Sequence, residues 1–173
     1  KQDMKKKAAI LLMSALAVMA VPMGAMAAEN GQEQQISVTL TAEPKYTVTI
    51  PASVSMGNEG TYVDVTASDV ENLPEGKKIS VTIAGTDKYR DQMIVEAETS
   101  PRTSLRYQII SDDGELIETN ASTGAVGVGK EVVSFDGNET KQYQIKPVIA
   151  GRYEYGVAYT GSITFGIELA DVE

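Results

Sequence analysis

Apolar and polar residues alternate with a period of two along most of this chain. Ile79, Val81 and Ile83, for example, alternate with Ser80 and Thr82. Successive side chains of a β-strand point to opposite faces of a sheet, so this period indicates strands with one apolar face and one polar face. Nine segments have this pattern or a related content of β-branched residues: 36–41, 46–50, 62–66, 79–83, 93–97, 105–109, 131–135, 143–145 and 163–169.

Turn-forming sequences separate these segments. They include GNEG at residues 57–60, LPEG at 73–76, DDG at 112–114 and DGN at 136–138. Beyond residue 28 no segment sustains the 3.6-residue apolar period of a helix. The pattern therefore predicts an all-β fold, an antiparallel two-sheet β-sandwich of the immunoglobulin-like kind with about eight or nine strands. A closed barrel is the alternative.

Two further expectations concern packing. Ile163, Phe165 and Ile167 share one face of the last strand and are predicted to point into the core together, so that Phe165→Ala would cost about 3–5 kcal/mol. The glycine-rich segment at residues 119–130 (TNASTGAVGVGK) is predicted to be a mobile connection between the two sheets.

The front of the chain has the organisation of a secretory signal peptide. Lys5, Lys6 and Lys7 precede a fourteen-residue apolar run at 8–21, and Pro22 and the small-residue sequence AMA at 25–27 follow. The alternative is a membrane-spanning helix, which requires about 20 apolar residues. We therefore predict that residues 4–27 are a removed signal peptide and that 28–173 form one domain without a membrane span. That domain is expected to be extracellular or at the cell surface.

Composition narrows the function classes. The chain has 24 acidic and 15 basic residues, a formal net charge of −9, and an acidic surface repels nucleic-acid phosphates. It contains neither cysteine nor histidine. Disulfides are therefore excluded, and the commonest general base, the thiol nucleophile and the soft metal ligands are missing. We predict a protein that is not an enzyme, has no cofactor and does not bind nucleic acid.

One acidic turn is a weak candidate for calcium. Asp112, Asp113 and Glu115 place three carboxylates around Gly114, and carboxylate oxygens are ligands that Ca²⁺ accepts. The twelve-residue ligand pattern of an EF-hand is absent. The simpler interpretation is a solvated hairpin tip, so no metal site is predicted.

Three tyrosines form a second candidate site. Tyr153, Tyr155 and Tyr159 lie close together in the sequence, beside Arg152 and Glu154. Tyrosine rings of this kind can stack on sugars or dock on a protein surface. The alternative is that they cap the core from the strand edges.

The first alternating segment is the third candidate. Ile36, Val38 and Leu40 form an apolar face behind a polar stretch at residues 29–35. A terminal strand can pair within its own sheet, or it can add to an open sheet edge of another subunit. The second option predicts a homo-oligomer or filament built by strand donation.

Three stretches resemble small secreted β-sandwich surface proteins of Gram-positive Firmicutes, some of which are related to adhesins or to WxL-type cell-wall-binding domains. They are KYTVTIPASVSM at 45–56, VTASDVENLPEGKKISVTI at 65–83 and AGRYEYGVAYTGSITFGIEL at 150–169. Phe165 stands where the WxL pattern has tryptophan. The resemblance implies a structural or adhesive role at the cell surface, and it assigns no site residues. The expected partners are a second copy of the chain, a cell-wall or host glycan, or a surface protein. The alternative to a structural or adhesive role is a carbohydrate-binding module with a tyrosine-lined face.

Overall fold

The structure, a computed structural model, describes residues 8–12, 38–119, 123–125, 127–149 and 151–172. The described residues form eleven strands and one 3-10 turn, Tyr89–Asp91, and contain no α-helix. The all-β prediction is therefore confirmed. The strands are β1 Ala8–Leu12, β2 Lys45–Pro51, β3 Thr61–Glu71, β4 Lys77–Thr86, β5 Ile94–Ala97, β6 Ser104–Ile110, β7 Leu116–Glu118, β8 Glu131–Phe135, β9 Glu139–Pro147, β10 Tyr159–Thr160 and β11 Ile163–Asp171.

All described strand pairs are antiparallel, and they form two sheets. The larger sheet has the order β1-β2-β3-β9-β6-β5-β10. Strand β5 pairs with residues 104–106 of β6, and β7 pairs with residues 108–110 of the same strand. The smaller sheet has the order β11-β4-β8. The larger sheet is curled, and with eight strands it is wider than the three-stranded sheet.

The core lies between these sheets and follows the sequence period. In β3, Val63, Val65 and Ala67 are buried, while the residues between them are more exposed. Strands of the smaller sheet contribute Ile79, Val81, Ile83, Val132, Val133, Phe135 and Ile167 to the same buried cluster. Each fully buried Val or Ile contributes about 1.5–3 kcal/mol of hydrophobic stabilisation, so the alternation is the main sequence signal for this fold.

The last strand packs as predicted. Ile167 is buried, and Ile163 and Phe165 are half-buried and pack against the same cluster. Their face assignment is confirmed.

The strand inventory differs from the sequence prediction in two ways. Strands β7 and β10 have three and two residues, which is too short for an alternating pattern to be recognised. Strand β1 lies inside the predicted signal peptide. Conversely, the strand predicted at residues 36–41 is not observed in its described part, because residues 38–44 belong to no strand. Residues 36 and 37 lie outside the described residues.

The glycine-rich segment does connect the two sheets, since it joins β7 to β8. Its described end is held against the core. The Gly129 amide donates to the Ile83 carbonyl over 2.8 Å, and the Ile83 amide donates to the Lys130 carbonyl over 3.0 Å. Residues 120–122 and 126 lie outside the description.

Candidate functional site

Strand β2 lies next to the outermost strand of the larger sheet, β1. One edge of β2 is paired with β3, and the other edge is paired with β1. In the second pairing residues 8–12 run antiparallel to residues 51–47. The backbone groups of this outer edge are thus matched by a short apolar stretch from the front of the chain.

An apolar groove of about 300 Å³ runs beside β2. It lies where β2 of the larger sheet faces β11 of the smaller one, and the sandwich-like core is incompletely closed at this seam. Ile50, Ile163 and Phe165 are only half-buried here although they pack on the core. The lining residues are Val48, Ile50, Pro51, Ala52, Ile163, Thr164, Phe165 and Ile167.

The structure places the predicted donor residues away from this groove. Val38 and Leu40 are 86% and 97% exposed and lie outside every strand. Ile36, the third member, lies outside the described residues. Two apolar side chains next to β2 in sequence are therefore left in solvent.

A second concave site contains one of the three predicted tyrosines. It is an open cleft of about 470 Å³ beside β5, β6 and β10. The Tyr159 hydroxyl lies 3.2 Å from the Thr103 hydroxyl and accepts a hydrogen bond from the Glu154 amide over 3.3 Å. The lining residues are Thr103, Ser104, Leu105, Arg106, Val148, Ile149, Arg152, Glu154 and Tyr159.

The other two tyrosines are placed differently. The Tyr153 hydroxyl accepts a hydrogen bond of 2.9 Å from Asn58 Nδ2, and Asn58 Oδ1 accepts one of 2.9 Å from the Gly151 amide. Tyr153 is thereby tied to the turn before β3. Tyr155 is fully exposed. Only Tyr159 of the three lines the cleft.

The acidic turn is engaged in contacts within the chain. Asp112 lies 3.4 Å from the Lys141 ammonium, and Glu115 lies 2.7 Å from the Lys130 ammonium. Asp113 accepts hydrogen bonds from the Ser111 hydroxyl and from the Glu115 amide, and these bonds hold the pKa of Asp113 below its ordinary value. Within the described ranges, no three acidic side chains are grouped so that they could hold a metal ion. The lysines could not be anticipated, because β9 and the loop before β8 bring them from distant parts of the sequence.

Comparison with known proteins gives no match: no protein-family model, no curated protein and no solved structure is similar to this chain. The described part of the chain also contains no helix long and apolar enough to cross a membrane. Secretion, surface location and the resemblance to Firmicutes surface proteins therefore stay predictions.

Proposed function

We propose that this chain is a secreted, cell-surface subunit with an immunoglobulin-like β-sandwich fold and a structural or adhesive role. In this proposal it assembles with itself by donating residues 36–40 as a strand to another subunit. Residues 4–27 serve as the signal peptide, and their removal produces the assembling form.

The observation that carries the proposal is the state of the donor residues. Val38 and Leu40 expose nearly all of their side chains, and each would gain about 1.5–3 kcal/mol on burial. Their alternation with Ser37 and Thr39 suits a strand with one buried face. Residues 38–40, the described part of this segment, belong to no strand, and such exposed apolar residues have a clear reason to pair between chains.

Deletion of residues 29–42 tests this proposal. The protein beginning at Ala28 is expected to form oligomers or filaments in light scattering and negative-stain microscopy, and the deletion variant is expected to be monomeric. Circular dichroism and thermal unfolding establish that the deletion variant is folded. Tyr153→Ala and Tyr155→Ala provide matched controls that should assemble normally. A folded deletion variant that still forms the same oligomers would contradict strand donation.

A carbohydrate-binding module is the second candidate, and the cleft at Tyr159 favours it. Arg106, Arg152 and Glu154 line the cleft together with the Tyr159 ring, a combination that can stack on a sugar and hydrogen-bond its hydroxyls. Under this alternative, Tyr159→Ala abolishes retention on a glycan array, whereas the deletion of 29–42 leaves it intact. Tyr155→Ala serves as the control outside the cleft.

A further inference from the structure

We infer that the acceptor for the donated strand is the outer edge of β2 together with the apolar groove beside it, and that the donor is residues 36–40 of a second copy. The register places Ile36 opposite Ile50, Val38 opposite Val48, and Leu40 opposite Tyr46. This inference rests on the proposed function and specifies the partner and geometry of that assembly.

The outer edge of β2 already pairs with an added strand. Residues 8–12 are aligned antiparallel with residues 51–47 over five positions. This outermost strand, β1, has an apolar sequence and lies within the predicted signal peptide of the same chain. If residues 4–27 are removed as proposed, the edge from Thr47 to Pro51 loses this partner. Its amide and carbonyl groups then become a template for another strand.

The donor pattern also matches the groove. Tyr46 and Val48 are 3% and 1% exposed and point into the core, as does the half-buried Ile50. Residues directly opposite each other in an antiparallel pair lie on the same face of the sheet. The inferred register therefore places the three apolar donor side chains on the core-facing side of the sheet, and it places Ile36 and Val38 opposite the groove-lining Ile50 and Val48.

The same register also places the polar donor residues correctly. Ser37 and Thr39 fall opposite Thr49 and Thr47, on the outer face. A slip of one residue would place Ser37 and Thr39 over the apolar groove and leave the apolar side chains in water. The alternating pattern thus favours registers in which the even-numbered donor residues lie opposite even-numbered residues of β2.

The chain enters β2 with a contact on the β3 side of that strand. The Glu43 carbonyl accepts a hydrogen bond of 3.2 Å from Asn72 Nδ2, and Asn72 directly follows β3, on the opposite side of β2. Pro44 favours extended backbone at the residue before it. Lys45 is already paired with Glu71 of β3. A reversal of the chain over residues 41–45 would disturb these contacts, whereas a second copy can bind without changing them.

Disulfide trapping tests the register, since the chain contains no cysteine of its own. Thr39→Cys and Thr47→Cys are prepared as separate proteins beginning at Ala28 and mixed under mild oxidation. Residues directly opposite on neighbouring strands lie within disulfide distance. We expect a covalent dimer with one chain of each variant, and no dimer from either variant alone. Ser37→Cys mixed with Thr49→Cys provides an independent pair in the same register.

Two controls separate the possible outcomes. Thr164→Cys reports on β11, which forms the other wall of the groove and has only β4 as a sheet partner in the described structure. If the Thr39→Cys protein is trapped by Thr164→Cys and not by Thr47→Cys, the β2 acceptor is overturned while strand donation stays intact. An intramolecular disulfide in a monomeric double variant, Thr39→Cys with Thr47→Cys, would overturn donation between copies. Oligomers that none of these pairs traps would overturn the acceptor, whereas a strictly monomeric unmodified protein would overturn the proposed function itself.

Discussion

The rings of Tyr143 and Phe165 meet across the core, with centroids 5.9 Å apart and planes tilted by 52°. Tyr143 lies in β9 of the larger sheet and Phe165 in β11 of the smaller one. Tilted aromatic pairs at this distance contribute about 0.5–1.5 kcal/mol beyond their burial. The contact therefore joins the two sheets beside the groove.

Truncation of this contact is expected to destabilise the fold measurably. Because Phe165 is half-buried, Phe165→Ala should lower the free energy of unfolding by about 2–4 kcal/mol. This loss is somewhat smaller than the loss of about 3–5 kcal/mol that is typical of a fully buried Phe. Chemical denaturation measures the change. Tyr62→Ala removes an aromatic ring that is 67% exposed and should cost less than about 1 kcal/mol. A loss below about 1 kcal/mol for Phe165→Ala would contradict its role in the core.

Alkaline pH is expected to destabilise the protein through its buried tyrosines. Burial raises the pKa of Tyr143 to about 12 and raises the pKa of Tyr107 as well. Below about pH 10, the pKa of an unfolded tyrosine, both states keep the proton and the full stability is present. Between about pH 10 and 12 the unfolded state loses the proton first, so the free energy of unfolding falls by about 2–3 kcal/mol from Tyr143 alone.

Denaturation curves at about pH 8 and about pH 11 measure this loss, and Tyr143→Phe provides the control because it should reduce the pH dependence. Ultraviolet titration of tyrosinate in the folded protein gives the second readout. Reversible ionisation of all tyrosines near their ordinary pKa of about 10 without unfolding would contradict the burial of these two rings.

Gly127 is expected to tolerate no side chain. A Cβ at this position would lie 2.6 Å from Ile117 Cγ2 and 2.9 Å from Met93 Sδ. Overpacking of this kind costs about 1–3 kcal/mol, so Gly127→Ala should lower the free energy of unfolding by that amount. Gly137→Ala is the matched control, since its Cβ would meet nothing within 4 Å. Equal stability of the two variants would show that Gly127 does not pack on the core.

Acid is expected to weaken the junction of β4 and β8. The buried Ser80 hydroxyl donates to Glu131 over 2.5 Å, and the Lys78 ammonium lies 2.9 Å from the same carboxylate. Burial alone would raise the pKa of Glu131, but these hydrogen bonds outweigh it and hold the pKa below the ordinary 4.5. The stabilisation is therefore present above about pH 4.5 and is lost as the pH falls through the lowered value.

Unfolding measured from about pH 6 to about pH 3 checks this expectation, with Glu131→Gln as the variant. The Gln variant should be less stable at the upper end of this range and should lose less stability on acidification than the unmodified protein. Parallel pH profiles for the two proteins would refute a contribution from the Glu131 carboxylate.

The sequence period predicted the strands that pair within the core, and it failed where pairing depends on distant residues. Ile163, Phe165 and Ile167 reach the core because alternation alone determines their face. Residues 38–40 alternate equally well but belong to no strand, because alternation indicates a face and does not supply an edge to pair with. The turn at Asp112 had a clear local pattern, whereas its partner Lys141 comes from β9 through the sheet topology.

The candidate site was predicted in part for the same reason. The alternation of the proposed donor residues is visible in the sequence, but the groove beside β2 depends on the approach of β11, which lies at the far end of the chain. The sequence pattern predicts a mobile loop at Gly127, because the close approach of Ile117 and Met93 to this glycine exists only after folding. Among the tyrosines, the sequence could not indicate that Tyr159 alone would line a cleft.

The most direct test of assembly is light scattering of the protein beginning at Ala28, compared with Val38→Asp and Thr39→Asp variants over a concentration series. Both substitutions add one negative charge, but only residue 38 faces the groove in the inferred register. Strand donation predicts oligomers for the unmodified protein and for Thr39→Asp, and monomers for Val38→Asp. Monomers throughout the series, or identical oligomers for both variants, would contradict strand donation by residues 36–40.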